Sequence, residues 1–136
     1  MKIKTLVAVL LLSGGVTSTF AQSDCNANSS ISHEAVRAKN FKDAYAPCMA
    51  VLKDCPTLRY YTYTDAQKIL TGLMSQIKDR NSAEYKKLFD ELMAVHDQKM
   101  KYIPEFASKM KGVPSVASAL GTKAVDYLQY APDRKA

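Results

Sequence analysis

The sequence has 136 residues, 47% of them hydrophobic, with 19 Lys and Arg against 13 Asp and Glu. That is enough chain for one domain with its own core. The formal charge of +6 is interleaved with acidic residues, as in "KDRNSAEYKKLFDE" (78–91), which argues against a nucleic-acid-binding stripe.

Lys2 and Lys4 precede the apolar run Thr5–Leu12, Ser13–Gly15 breaks it, and Ala21 follows as a cleavage residue. This is the pattern of a secretory signal over residues 1–21. The apolar run is too short to span a bilayer, which takes ~20 residues. Lipid attachment at Cys25 is disfavoured, because "AQSDC" lacks the usual Leu and small residues before the cysteine. Loss of the two lysines takes the charge from +6 to +4. Residues 22–136 are then expected to form an exported helical domain with no transmembrane segment. Its destination would be the periplasm, the outer membrane or the medium.

No stretch alternates with period two, and helical spacing dominates the rest. Asn26–Ser30 reads as a polar lead-in and Ser32–Lys39 as a short helix, with Asn40 capping the next. That next helix covers Phe41–Asp54, with Phe41, Ala44, Tyr45, Cys48, Leu52 and Cys55 on one face. Pro47 predicts a kink or an irregular first turn, and Pro56 ends the element. "TLRYYTY" reads as a connector. "TDAQ" predicts a capping box that starts a third helix at Thr64, with Ile69, Leu70, Leu73, Met74 and Ile77 as its buried stripe.

Asn81 and Glu84 predict the start of a long helix over Ser82–Tyr102, with Tyr85, Leu88, Phe89, Leu92, Val95, His96 and Met100 as its apolar face. Pro104–Lys111 reads as a separate short helix stopped by Gly112. The last helix covers Ser115–Tyr130, with Val116, Leu120 and Leu128 apolar and Gly121 marking a close helix contact.

Three cysteines remain after the signal. Cys48 and Cys55 are seven residues apart, ~10 Å along a helix axis, too far to bridge. Cys25 precedes the first helix and Cys55 ends the second, so an antiparallel pair predicts a Cys25–Cys55 disulfide with Cys48 a free core thiol. The alternative is three free thiols. There is no Cys-x-x-Cys and no nearby histidine pair, so neither a metal nor a cofactor is expected.

Phe41 precedes Ala44 by three, and Pro56 follows Ala44 by twelve. That spacing matches the second half of a tetratricopeptide repeat, in which a small residue permits close helix approach and a proline ends the helix. Cys48 stands where an aromatic is usual and Val51 where Ala is usual. Asn28, Ser32 and Ala35 replace the Trp, Gly and Tyr of the first half.

Beyond that unit, the chain resembles the amino-terminal part of a family of exported tetratricopeptide-repeat proteins of Bacteroidetes. The resemblance is carried by "DC" (24–25), "KNFKDAYAPC" (39–48), "CP" (55–56), "YTDAQKIL" (63–70) and "LGTKAVDYLQYAPD" (120–133). The family often has Trp at the position of Cys48. The resemblance implies an envelope scaffold or protein-binding protein with further repeats downstream, and it brings no catalytic residues.

For chemistry, His33 reads as a capping or surface residue and His96 as a core histidine. No nucleophile elbow or phosphate-cradling loop is present. Arg59, Tyr60, Tyr61 and Tyr63 are candidates for a partner-binding patch; the alternative packs Tyr60 and Tyr63 between helix pairs. Lys39 and Lys42 are candidates for a concave groove that holds acidic groups, against a plain solvated face.

The expected fold is all-α, antiparallel helix pairs stacked as a tetratricopeptide-like right-handed array. The expected function is non-enzymatic protein or peptide binding, with Phe41, Ala44, Cys48, Val51 and Pro56 packing the repeat. The alternatives are a small envelope enzyme or thiol-redox protein using Cys48, and a secreted bundle that dimerises through its last helix.

Overall fold

A computed structural model describes residues 17–134. Five helices follow in order: α1 Thr17–Arg37, α2 Phe41–Asp54, α3 Tyr61–Ser75, α4 Ala83–Lys109 and α5 Val116–Tyr130. There is no strand among the described residues. The charged and apolar parts of the expected signal, Lys2, Lys4 and Thr5–Leu12, lie outside the described residues.

The helix α1 is far longer than its apolar pattern predicts, and it absorbs the expected polar lead-in. Its buried face is small rather than oily: Cys25, Ser29, Ser32 and Val36 recur at helical spacing and are all buried, while Ile31 points to solvent. Small side chains bring the backbones of α2 and α3 close enough to hold this weakly helical sequence in place. Cys25 therefore lies inside α1, and it forms the predicted disulfide with Cys55, the C-cap of α2. A crosslink spanning 30 residues contributes roughly 3–4 kcal/mol by restricting the unfolded chain.

The α1–α2 turn is built by two specific residues. Lys39 has φ 58°, and its N–H bonds to the Val36 carbonyl while that of Asn40 bonds to Ala35, closing a Schellman turn. Asn40 then caps α2 by accepting from the Asp43 N–H. Pro47 sits within α2, whose helical assignment is continuous.

Three predicted boundaries are wrong. α3 starts at Tyr61, three residues before the expected capping box, with no side-chain cap at Tyr60. Thr64 is thus inside the helix, and Gln67 reaches across to Asp126 instead of back along its own chain. α4 is capped by Ser82 rather than Asn81, and it runs through Pro104 to Lys109. Pro104 removes one helical hydrogen bond. Ile103 and Phe106 on either side of it are buried and keep the last turns docked.

Successive helices pack against each other, and α1 also packs on α3. Between α4 and α5 the contacts run antiparallel: Tyr85 Oη donates to the Tyr130 carbonyl, the rings of Phe89 and Tyr127 are 5.7 Å apart, and Asp97 meets Lys123. Between alternate helices they run parallel. Ser29 meets Tyr61 and His33 meets Asp65, both 32 residues apart. Tyr45 meets Glu91 and Leu52 meets Gln98, both 46 residues apart.

One core runs through these layers, including Ala44, Cys48, Ile69, Leu70, Met74, Tyr85 and Leu92. Ala44, Cys48 and Val51 are buried. Phe41 is half-buried with its ring over Gly72, so close that a Cβ at Gly72 would collide with it. The expected close contact at Gly121 does not occur: a Cβ there would meet nothing. α5 instead leaves Val116, Leu120, Val125, Tyr127 and Leu128 exposed.

Candidate functional site

The predicted Arg59–Tyr63 patch divides in two. Tyr63 is fully buried. Its hydroxyl donates to the Pro56 carbonyl at 2.7 Å and accepts from Gln98 at 3.2 Å. Its ring and that of Tyr60 meet Phe106 edge-on, at 6.0 and 5.5 Å between centroids. Tyr63 is therefore a core residue and not part of a partner-binding patch, and Tyr60 packs beside it. Pro56 acquires a role beyond ending α2, since its carbonyl anchors that phenol.

Arg59 and Tyr61 go the other way, toward α1. The Arg59 guanidinium donates to Ser29 Oγ at 3.0 Å and lies 5.7 Å from the centre of the Tyr61 ring. Tyr61 in turn stacks on His33, with ring centroids 4.5 Å apart. His33 Nδ1 is 2.7 Å from Asp65 Oδ2. A carboxylate accepts, so Nδ1 carries a proton, and in the neutral ring Nε2 is then an acceptor. No partner for Nε2 occurs among the described residues.

This ledge leads into a cavity of about 520 Å³ between α1 and α3, a size in the range of ligand pockets, roughly 300–1,000 Å³. His33 and Asp65 line one part of it, Phe41 and Gly72 another, and Arg37, Lys39 and Lys68 bring positive charge. Arg37 is paired with Glu34 at 3.2 Å. Lys39 and Lys68 have no carboxylate partner among the described residues. Lys39 thus lines this cavity. Lys42 does not; it lines a different cavity with Tyr45 and Glu84, between α2, α3 and α4.

A second histidine–carboxylate pair lies between α4 and α5. His96 Nε2 is 2.7 Å from Asp126 Oδ2, which also accepts from Gln67 Nε2 at 2.8 Å, so one carboxylate ties α3, α4 and α5 together. His96 is a core histidine, as predicted, and its Nδ1 is buried without a partner. Burial pushes its pKa down, against the opposing pull of the Asp126 hydrogen bond, and the nearby Lys99 ammonium adds to the lowering. The sequence spacing gave no sign of this cluster, because its members come from three helices.

No serine or thiol hydrogen-bonds to either imidazole among the described residues. Cys48 is fully buried and its Sγ donates to the Thr62 carbonyl at 3.6 Å. Burial, with Asp65's charge, pushes the thiol up to about 12, so it is not a thiolate at neutral pH. No group of three or more candidate metal ligands occurs among the described residues, and no described helix is long and apolar enough to cross a membrane. The chain matches no protein-family model, no curated protein and no solved structure.

Proposed function

We propose that the chain is an exported, non-enzymatic scaffold of tetratricopeptide-like type that binds another protein through the groove between α1 and α3. The observation that carries this reading is the parallel packing of α1 on α3. The α1–α3 offset of 32 residues is close to the 34 of a tetratricopeptide repeat, and it leaves one side of the stack open as the groove. The later alternate pairs have longer offsets, 46 residues between α2 and α4 and 59 for the Gln67–Asp126 contact between α3 and α5. The Cys25–Cys55 disulfide suits an oxidising compartment outside the cytosol. The buried, protonated Cys48 gives no support to a thiol-based enzyme.

The test is site-specific photo-crosslinking in the source cells. A photoreactive residue at Lys68 or Ser75, in the groove, is expected to capture one discrete protein. The same residue at Lys111, outside it, is expected to capture none. Absence of any protein adduct from the groove positions would overturn the reading.

A further inference from the structure

The α1–α3 cavity contains a polar arrangement that is more specific than a basic surface. Asp65 is only 4% exposed and fixes the His33 ring, which is 35% exposed. The ring is held on its other side by Tyr61. In the neutral ring the outcome is a fixed hydrogen-bond acceptor, Nε2, in a residue that shares the cavity lining with Lys39 and Lys68, and the only acidic lining residue, Asp65, is already taken.

A ligand that matches this set needs an N–H to donate and carboxylates to meet the two ammonium groups. An acidic peptide segment offers both at once. A small dicarboxylate offers only the second. We infer that the cavity between α1 and α3 recognises an acidic stretch of extended polypeptide, with a backbone N–H donated to His33 Nε2 and side-chain carboxylates on Lys39 and Lys68. Phe41, lying on Gly72, forms the apolar floor. His33 is a recognition residue here, and Asp65 positions it. This inference rests on the proposed scaffold function and names the chemistry of its partner.

The experiment is fluorescence anisotropy of a labelled, end-blocked hexaglutamate peptide with the purified protein, beside hexalysine and a Gly/Ser hexapeptide. Hexaglutamate is expected to bind and the others not. Lys68→Glu and Lys39→Glu are each expected to weaken binding about fivefold or more. Lys111→Glu removes the same net charge outside the cavity and is expected to change binding less than twofold. In a ¹⁵N spectrum, the His33 Nε2 signal is expected to move when peptide is added. Equal losses from Lys68→Glu and Lys111→Glu would show attraction to net charge only and overturn the inference. So would a His33 signal that does not move, tight displacement by free glutarate, or no binding at all. Groove crosslinks to a protein without hexaglutamate binding would sink this inference and leave the scaffold reading standing.

Discussion

The two histidine–carboxylate pairs have the same separation, 2.7 Å, and each joins two helices. They differ in water. The His33 side chain is 35% exposed and that of His96 only 1%. At the α1–α3 end, water can replace whatever the pair loses, and the ring lines a cavity. At the α4–α5 end there is no room for replacement, and one carboxylate holds two donors from different helices. The same two residue types thus make a part-exposed pair at one end and a buried structural clip at the other, and burial separates them.

The largest expected difference comes from removing each carboxylate. Asp126→Ala leaves Gln67 and the buried His96 without their acceptor and the buried Lys99 without its nearby anion. The expected loss is about 2–4 kcal/mol in urea unfolding. Asp65→Ala leaves only the half-exposed His33 Nδ1, and the expected loss is about 1 kcal/mol. Equal losses would break the argument that burial separates the two pairs.

Acidification probes the buried clip by itself. The folded pKa of His96 lies below its ordinary value of 6.5, so the unfolded chain takes up the proton first as pH falls. The stabilisation is complete above about pH 6.5 and is lost below it, at no more than about 1.4 kcal/mol per pH unit for one proton. The structural cause is visible: the incoming proton would sit on the buried, partnerless Nδ1. Urea unfolding at pH 7.5 and 5.5 is expected to show a drop that shrinks in His96→Gln. An unchanged drop in that variant would assign it to other groups.

Much of this architecture is written in local spacing. The apolar stripes of α2 and α3 carry their helices, whereas that of α5 stays exposed, and Asn40 and Ser115 mark two starts. The Cys25–Cys55 link followed from helix length and pairing. The boundaries that escaped are those set by distant contacts. α1 is helical through a serine- and asparagine-rich run because Ser29 and Ser32 are the small residues its neighbours need. α4 survives Pro104 because Phe106 is pinned under Tyr60 and Tyr63. The capping box at Thr64 failed because Gln67 found a stronger partner in Asp126. Of the residues in and beside the α1–α3 cavity, Arg59, Tyr61 and Lys39 were singled out by the sequence. His33 looked like a surface residue because Asp65, 32 positions away, is what gives it a purpose.

The smallest expected change separates folding from binding at the exposed end. Lys39 holds a left-handed backbone, φ 58°, at the turn where glycine is usual. An L-residue there costs about 1–2 kcal/mol, part of which glycine gives back as unfolded-chain entropy. Lys39→Gly is therefore expected to raise the urea midpoint by an amount worth about 1 kcal/mol, with the slope unchanged. The same change removes one of the two unpaired ammonium groups at the cavity, so hexaglutamate binding should weaken as stability rises. Opposite signs from one substitution would mean that lysine is kept at a strained position for its charge. A more stable variant with unaltered binding would detach Lys39 from recognition, and a less stable one would mean that the lysine side chain itself supports the turn.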